Sequence, residues 1–258
     1  MSYTVRNEKR GSRRYFLVNQ NSPFALREAY KTARTNLLSI LSVYADSPKQ
    51  ICFTSPEVAD GKTLNCSNMA QSFAEMGSKV LIIDADMRKP KLNRVFKTPL
   101  SPGLSDYLGN FCDLEKAIVP YKDVEGLYVM PSGKLPPNPT ELILSPKFSQ
   151  LLKTLEDKFD YVFIDAPPVC VVTDAAIISK NALGAVLVCR SQSTRMDVAK
   201  KAKAEIEQAG GQVLCALLNG IDFSKVAGTV KKHKYRYYQD SYSDPYDISE
   251  NSSEELSE

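Results

Sequence analysis

The sequence encodes a doubly wound α/β fold around a mostly parallel sheet. Three observations carry that expectation: short apolar runs without polar alternation, helical periodicity in the stretches between them, and glycines that close several of those stretches. Unbroken runs of Val, Ile, Leu and Phe suit strands buried on both faces of a parallel sheet. Alternation of such strands with helices gives the doubly wound arrangement.

Residues 1–22 are charged and aperiodic and read as a mobile N-terminal arm. A helix is expected in "NSPFALREAYKTARTNLLSIL", begun after Ser22-Pro23 because proline suits the first helical position. The strand "QICFTS" follows, and "SPEVADGKT" joins it to the helix "KTLNCSNMAQSFAEMG". Further strands are expected in "KVLIIDAD", "GLYVMPSG", "DYVFIDAPP", "GAVLVCR" and "QVLCALLNG", with helices in "SPKFSQLLKTLEDKF" and "STRMDVAKKAKAEIEQAG". Residues 23–226 thus form one domain. Residues 227–258 turn basic, then tyrosine-rich, then acidic, with almost nothing to bury, and are expected to be disordered.

Composition narrows the function classes. A chain of 258 residues with 43% hydrophobic content can build one large core. Its 33 basic and 30 acidic residues nearly balance, which argues against nucleic acid as a partner. No run approaches the ~20 apolar residues of a membrane span, and "MSYTVRNEKRGSRRYF" lacks the apolar centre of a secretory signal, so a cytoplasmic protein is expected. The six cysteines stand singly and never as CxxC, which favours reduced thiols over disulfides or zinc. His233, the one histidine, lies in the basic tail with nothing to orient it and receives no catalytic role.

Candidate chemistry sits at the strand ends. In a GxxxxGK[ST] loop, backbone N–H groups cradle phosphates, the lysine neutralises them and the hydroxyl holds magnesium. Gly61, Lys62 and Thr63 keep that ending, whereas Pro56 fills the first glycine slot and Val58-Ala59-Asp60 the interior. Such loops bend through positive φ, where alanine costs about 1–2 kcal/mol. The segment nevertheless falls between an apolar strand and a helix whose N-terminus favours anions. Ala59, Asp60, Gly61, Lys62, Thr63 and Leu64 are therefore the expected nucleotide-binding residues of a P-loop NTPase-like fold with deviant Walker motifs.

Asp84 and Asp86 end the strand "VLIIDAD", facing the crevice where ligands bind, and can share magnesium or accept a proton. Arg88 and Lys89 add positive charge beside them. Asp165, in "YVFIDAPPV", has the Walker B pattern of a magnesium-holding acid. The plainer alternatives are a turn that happens to read Gly-Lys-Thr and an acidic turn in which Asp86 caps a helix. Agreement among three strand tips favours the nucleotide site.

With these motifs the chain resembles the cytoplasmic catalytic domain of bacterial tyrosine kinases, the BY-kinases of capsule and exopolysaccharide systems, from about Ser22 to the tyrosine tail. The family's DxD with a following arginine is similar to Asp84, Asp86 and Arg88, and its DxPP to Asp165-Ala166-Pro167-Pro168. "SGKLPPNPTELILS" resembles its PPNPxEL segment, and "TDAAIISKNALGAVLVCR" its next strand-and-helix unit. "REAYKTARTN" resembles its ExxRxxR oligomerisation helix through Glu28, Lys31 and Arg34, with Lys31 lacking the bidentate fork of the arginine it replaces. Where the family reads PGEGK[ST], Ala59 replaces the glycine.

The resemblance implies a protein-tyrosine autokinase using ATP and Mg2+. Lys62, Asp84, Asp86 and Asp165 would be catalytic, and Thr63, Asp84, Asp86 and Asp165 would form the metal shell. A phenol has a pKa near 10, so a carboxylate must take its proton, and Asp84 is the expected base. Tyr235, Tyr237, Tyr238, Tyr242 and Tyr246 would be phosphorylated by a neighbouring subunit. The resemblance further implies a homo-oligomer, as a ring, and an opposing tyrosine phosphatase. It also implies a transmembrane polysaccharide co-polymerase or adaptor whose cytoplasmic tail recruits the kinase to the inner face of the membrane. Two alternatives stand: a ParA/MinD-type ATPase, whose signature lysine early in the loop is Glu57 here, and a pseudokinase scaffold, which Pro56 and Ala59 keep open.

Overall fold

Pro23 sets the start of α1 (Phe24–Ser42), whose Leu37 and Leu41, about one turn apart, are buried. Strands and helices then follow as β1 (Gln50–Thr54), α2 (Lys62–Ala74), β2 (Val80–Asp84), α3 (Leu92–Val95), α4 (Leu104–Leu108), α5 (Leu114–Ala117), β3 (Val119–Pro120) and β4 (Leu127–Met130). The second half comprises α6 (Pro139–Leu144), α7 (Pro146–Glu156), β5 (Tyr161–Asp165), α8 (Asp174–Asn181), β6 (Gly184–Arg190), α9 (Met196–Gln208) and β7 (Val213–Asn219). The computed structural model describes residues 17–45 and 47–221.

All the strands join one sheet in the order β3-β4-β2-β5-β1-β6-β7. Every pairing is parallel except that of β3 with β4. The two residues of β3 are too few to show a pattern, so this edge was invisible in the sequence.

Period-two alternation divides the core between the two faces of the sheet. Ile51, Phe53, Val80, Ile82 and Phe163 pack with α1, α2 and α3. Cys52, Leu81, Ile83, Val162 and Ile164 pack with the helices from α4 to α9. Phe73 of α2 meets Tyr161 and Phe163 of β5 edge-on, at ring-centroid distances of 4.7 and 5.2 Å, which fixes α2 against the sheet.

β1 lies between β5 and β6, with α2 on one face of the sheet and α8 on the other. The connections therefore diverge at the carboxyl end of β1, opening a crevice where doubly wound proteins bind ligands.

Two expectations differ from the structure. The last residues of the expected mobile arm are docked: Asn68 accepts the Val18 N–H at 2.7 Å, and Gln71 donates to the Val18 carbonyl at 2.6 Å. Polar side chains on α2 thus supply partners that aperiodic sequence does not advertise. β7 was expected to be buried on both faces, yet Leu218 is exposed and its neighbours half-buried, since β6 alone among the described strands flanks it. All six cysteines are free, with Cys52 and Cys66 buried. No helix among the described residues is long and apolar enough to cross a membrane.

Candidate nucleotide site at the strand tips

The loop from β1 to α2 bends as its motif requires. Gly61 has φ of 98°, and a Cβ there would fall 2.1 Å from Asn219 Nδ2, so glycine answers both a left-handed backbone and a close approach. Ala59, in the family's glycine position, also sits at positive φ, 77°. That left-handed geometry costs a residue with a Cβ about 1–2 kcal/mol.

Neighbouring strand tips hold the strained loop. Asp60 accepts the Glu57 N–H at 3.1 Å through one carboxylate oxygen and the Thr194 hydroxyl at 3.0 Å through the other. Asn219 donates to the Asp60 carbonyl at 2.8 Å, and Arg190 donates to the Ala59 carbonyl at 3.4 Å. The Asn65 N–H closes the first turn of α2 on the Gly61 carbonyl at 3.0 Å. Helix geometry leaves the earlier N–H groups, including those of Lys62, Thr63 and Leu64, for an anion.

Behind the loop lies a buried charge cluster. Lys62 Nζ donates to Asp86 Oδ2 at 2.9 Å and to Asp165 Oδ1 at 3.2 Å, while the Thr63 hydroxyl donates to Asp165 Oδ2 at 2.7 Å. Burial works to lower the Lys62 pKa, but Asp165, Asp86 and Asp84 outweigh it and hold the ammonium above its ordinary value. Asp165 is itself raised, by burial first, with Lys62 and the Thr63 hydroxyl opposing and the charge of Asp86 adding to the rise.

Asp84 is paired in register with Asp165 and fully buried. Its Oδ2 accepts the N–H groups of Lys91 and Leu92, each at 2.9 Å, and its Oδ1 accepts that of Asp86 at 3.3 Å. The expected base therefore organises the loop after β2. Asp86 shows the other arrangement, with one oxygen on the Lys89 N–H at 3.1 Å and the other on Lys62.

Arg88 stands beside this cluster but is turned to Asp174 and Thr140. Its Nε lies 3.0 Å from Asp174 Oδ2 and its Nη2 2.8 Å from the Thr140 hydroxyl, which donates to Asp174 Oδ1 at 2.6 Å. The PPNP-containing segment is thereby tied to the loop after β2 and to the start of α8. On α1, Glu28 and Lys31 form an exposed pair at 2.6 Å. Arg34 instead donates to the Ser72 carbonyl in the last turn of α2, at 2.8 Å. The five tail tyrosines and His233 lie outside the described residues.

Lys62, Thr63, Asp86 and Asp165 are thus brought into direct contact, with Asp84 beside them and Ala59, Asp60, Gly61 and Leu64 on the loop. Sequence reasoning missed Arg190, Thr194, Asn219, Asp174 and Thr140. Arg190 and Asn219 each end a strand, so the strand-tip rule that found the acids could have found them too.

The cluster fits a magnesium nucleotide. Three buried carboxylates face one ammonium, an imbalance that a divalent cation cancels, and the available donors are hard oxygens suited to magnesium. Among the described residues no group of three or more His, Cys, Asp or Glu side chains is placed to hold a metal.

Fold and site define a P-loop NTPase, and the AAA domain family matches residues 49–195. Tyrosine-protein kinase YwqD of Bacillus subtilis is 35% identical, over 90% of this chain and 94% of its own. The kinase domain of the Escherichia coli tyrosine kinase ETK superposes with a TM-score of 0.75 at 30% identity, covering 86% of each chain. The MinD protein of Pyrococcus horikoshii, solved with Mg-ADP, is more distant: TM-score 0.56 and 26% identity, over 66% of this chain and 69% of its own. The chain belongs to the bacterial tyrosine-protein kinase family.

Proposed function

We propose that this chain is an ATP- and magnesium-dependent tyrosine autokinase. Its residues 23–226 form the kinase domain, and Tyr235, Tyr237, Tyr238, Tyr242 and Tyr246 are its acceptors, presented to a neighbouring subunit. The supporting observation is Lys62, buried and shared between Asp86 and Asp165 beside the Thr63 hydroxyl.

Bound magnesium ATP supplies the transferable phosphoryl group and its electrophilic activation. The N-terminal N–H groups of α2 would cradle phosphate oxygens, and Thr63 and Asp165 would hold the metal, with Asp86 and Asp84 assisting. Lys62 must leave its carboxylates to reach phosphate, and this frees Asp86 Oδ2. Asp84 would take the phenol proton, since among the described residues its Oδ1 accepts only the Asp86 N–H, at 3.3 Å, and keeps a lone pair. The tyrosine oxygen bonds to phosphorus as the bridging oxygen leaves with ADP. Positioning and electrostatics supply the rate.

The kinase works with a membrane-spanning adaptor, whose cytoplasmic tail recruits it to the inner face of the membrane, and regulates capsular or exopolysaccharide synthesis and export. A homo-oligomeric ring, assembled in part through Glu28, Lys31 and Arg34, presents the tails, and a tyrosine phosphatase opposes the reaction. Incubation with ATP and magnesium, with and without adaptor tail peptide, tests the proposal by phosphotyrosine and phosphate release. Tyrosine labelling is expected. Phosphate release without labelling would support a MinD-type ATPase, and neither signal a scaffold.

A further inference from the structure

At the end of its first turn α2 buries an asparagine, a residue that helix interiors disfavour because its side chain competes for backbone groups. Asn65 is 3% exposed, and a polar side chain so buried must find partners. It finds them on two different elements. Its Nδ2 donates to the Gly61 carbonyl of the phosphate loop at 3.0 Å, and its Oδ1 accepts the Tyr30 hydroxyl of α1 at 3.1 Å.

The network fixes the direction of each bond. With Nδ2 spent on a carbonyl, the Asn65 amide presents its oxygen to Tyr30, so the phenol is the donor. Asn68, one turn further along α2, completes the set. Its Oδ1 holds the Val18 N–H at 2.7 Å, which leaves its Nδ2 for the Leu64 carbonyl at 2.9 Å and the Tyr30 oxygen at 3.4 Å. One hydroxyl thus donates to Asn65 and accepts from Asn68.

The Gly61 carbonyl also accepts the backbone N–H of Asn65 at 3.0 Å, so a single residue fills both of its lone pairs. Carbonyl and N–H point in opposite directions across a planar trans peptide. Fixing the Gly61 oxygen into α2 therefore aims the Lys62 N–H out of the helix N-terminus, where an anion is favoured. Gly61, at φ 98° and without a side chain, imposes little restraint on that plane of its own.

We propose that Tyr30 is a positioning residue of the nucleotide site: its hydroxyl holds the Asn65 amide in place, and through it keeps the Lys62 N–H aimed at phosphate. The first helix, and not the loop alone, then sets the affinity for nucleotide. This role rests on the nucleotide site proposed above. The Tyr30 ring packs against the core beneath α1 and α2, so Tyr30→Phe keeps the packing and removes the hydroxyl alone.

Calorimetry with magnesium and ADP on the full chain tests the relay. Tyr30→Phe is expected to weaken ADP about threefold and Asn65→Ala about tenfold, as the loss of one and of two hydrogen bonds implies. Because Tyr30 acts through Asn65, the double variant should bind as Asn65→Ala does, whereas independent effects would multiply to about thirtyfold. Melting temperatures check that each variant is folded. A lowered melting temperature with unchanged ADP affinity in Tyr30→Phe would make the hydroxyl a purely structural bond and overturn the role, as would effects that multiply. If the unaltered protein binds no ADP, the site itself falls and the inference with it.

Discussion

Lys62 and Asp86 form a buried ion pair, Nζ to Oδ2 at 2.9 Å, with each side chain 6% exposed. Removing one partner of such a pair strands the other. Lys62→Met is expected to lower the stability of the ligand-free protein at pH 8 by about 3 kcal/mol, measured by urea denaturation. Phosphotyrosine formation should fall at least about a hundredfold, since the loss combines phosphate binding with transition-state charge stabilisation. A variant as stable as the parent would show that the pair contributes nothing.

Ala59 lies at φ 77°, in the left-handed region. Ala59→Gly should relieve about 1 kcal/mol of strain and raise the melting temperature by roughly 2–4 °C. ADP should bind a few-fold more tightly as the loop relaxes. An unchanged melting temperature would mean that the surrounding bonds absorb the strain.

Asn219 clasps the Asp60 carbonyl and leaves no room for a side chain at Gly61. Asn219→Ala should cost about 1 kcal/mol of stability, the worth of an ordinary hydrogen bond, and weaken nucleotide binding by about tenfold. Gly61→Ala should abolish binding in a folded protein. Wild-type affinity in either variant, read by calorimetry, contradicts the bracing role.

Burial, followed by the charge of Asp165, raises the Asp84 carboxyl from its ordinary value to about 7. Between roughly pH 4 and pH 7 the ligand-free folded protein thus holds a proton that the unfolded chain has lost. Its contribution therefore makes stability fall as pH rises through that window and level off above it. Asp84→Asn removes the titration, so urea denaturation from pH 5 to pH 8 should give a flatter profile. Parallel profiles for the two proteins would rule out Asp84 as the source.

Much of the architecture was legible because buried strands leave unbroken apolar runs. "VLIID" and "YVFID" became adjacent strands, with Asp84 and Asp165 paired at their tips. The loop after β1 was less plain, because Gly61-Lys62-Thr63 lacks the usual earlier glycines and only its place between a strand and a helix supported it, although the positive φ that makes Ala59 unusual was foreseen. What stayed hidden depends on contacts between residues distant in the chain. Nothing near Asn219 indicates that it reaches Asp60, and nothing near Asp174 indicates that Arg88 and Thr140 meet on it. Asp84 was expected to be the base, and nothing in the sequence indicated that one of its oxygens holds the backbone N–H groups of Lys91 and Leu92. Whether an apolar strand lies centrally or at an edge, as β7 does, is likewise set by its neighbours.

The Arg34–Ser72 contact gives α2 a grip at the end opposite the phosphates. A helix of this length, 13 residues, is a stiff rod of about 20 Å. Its far end is buttressed by Arg34 of α1, so a shift of α1 would push on a lever whose other tip carries Lys62 and Thr63. The position of α1 and that of Lys62 and Thr63 are then mechanically joined through a single helix.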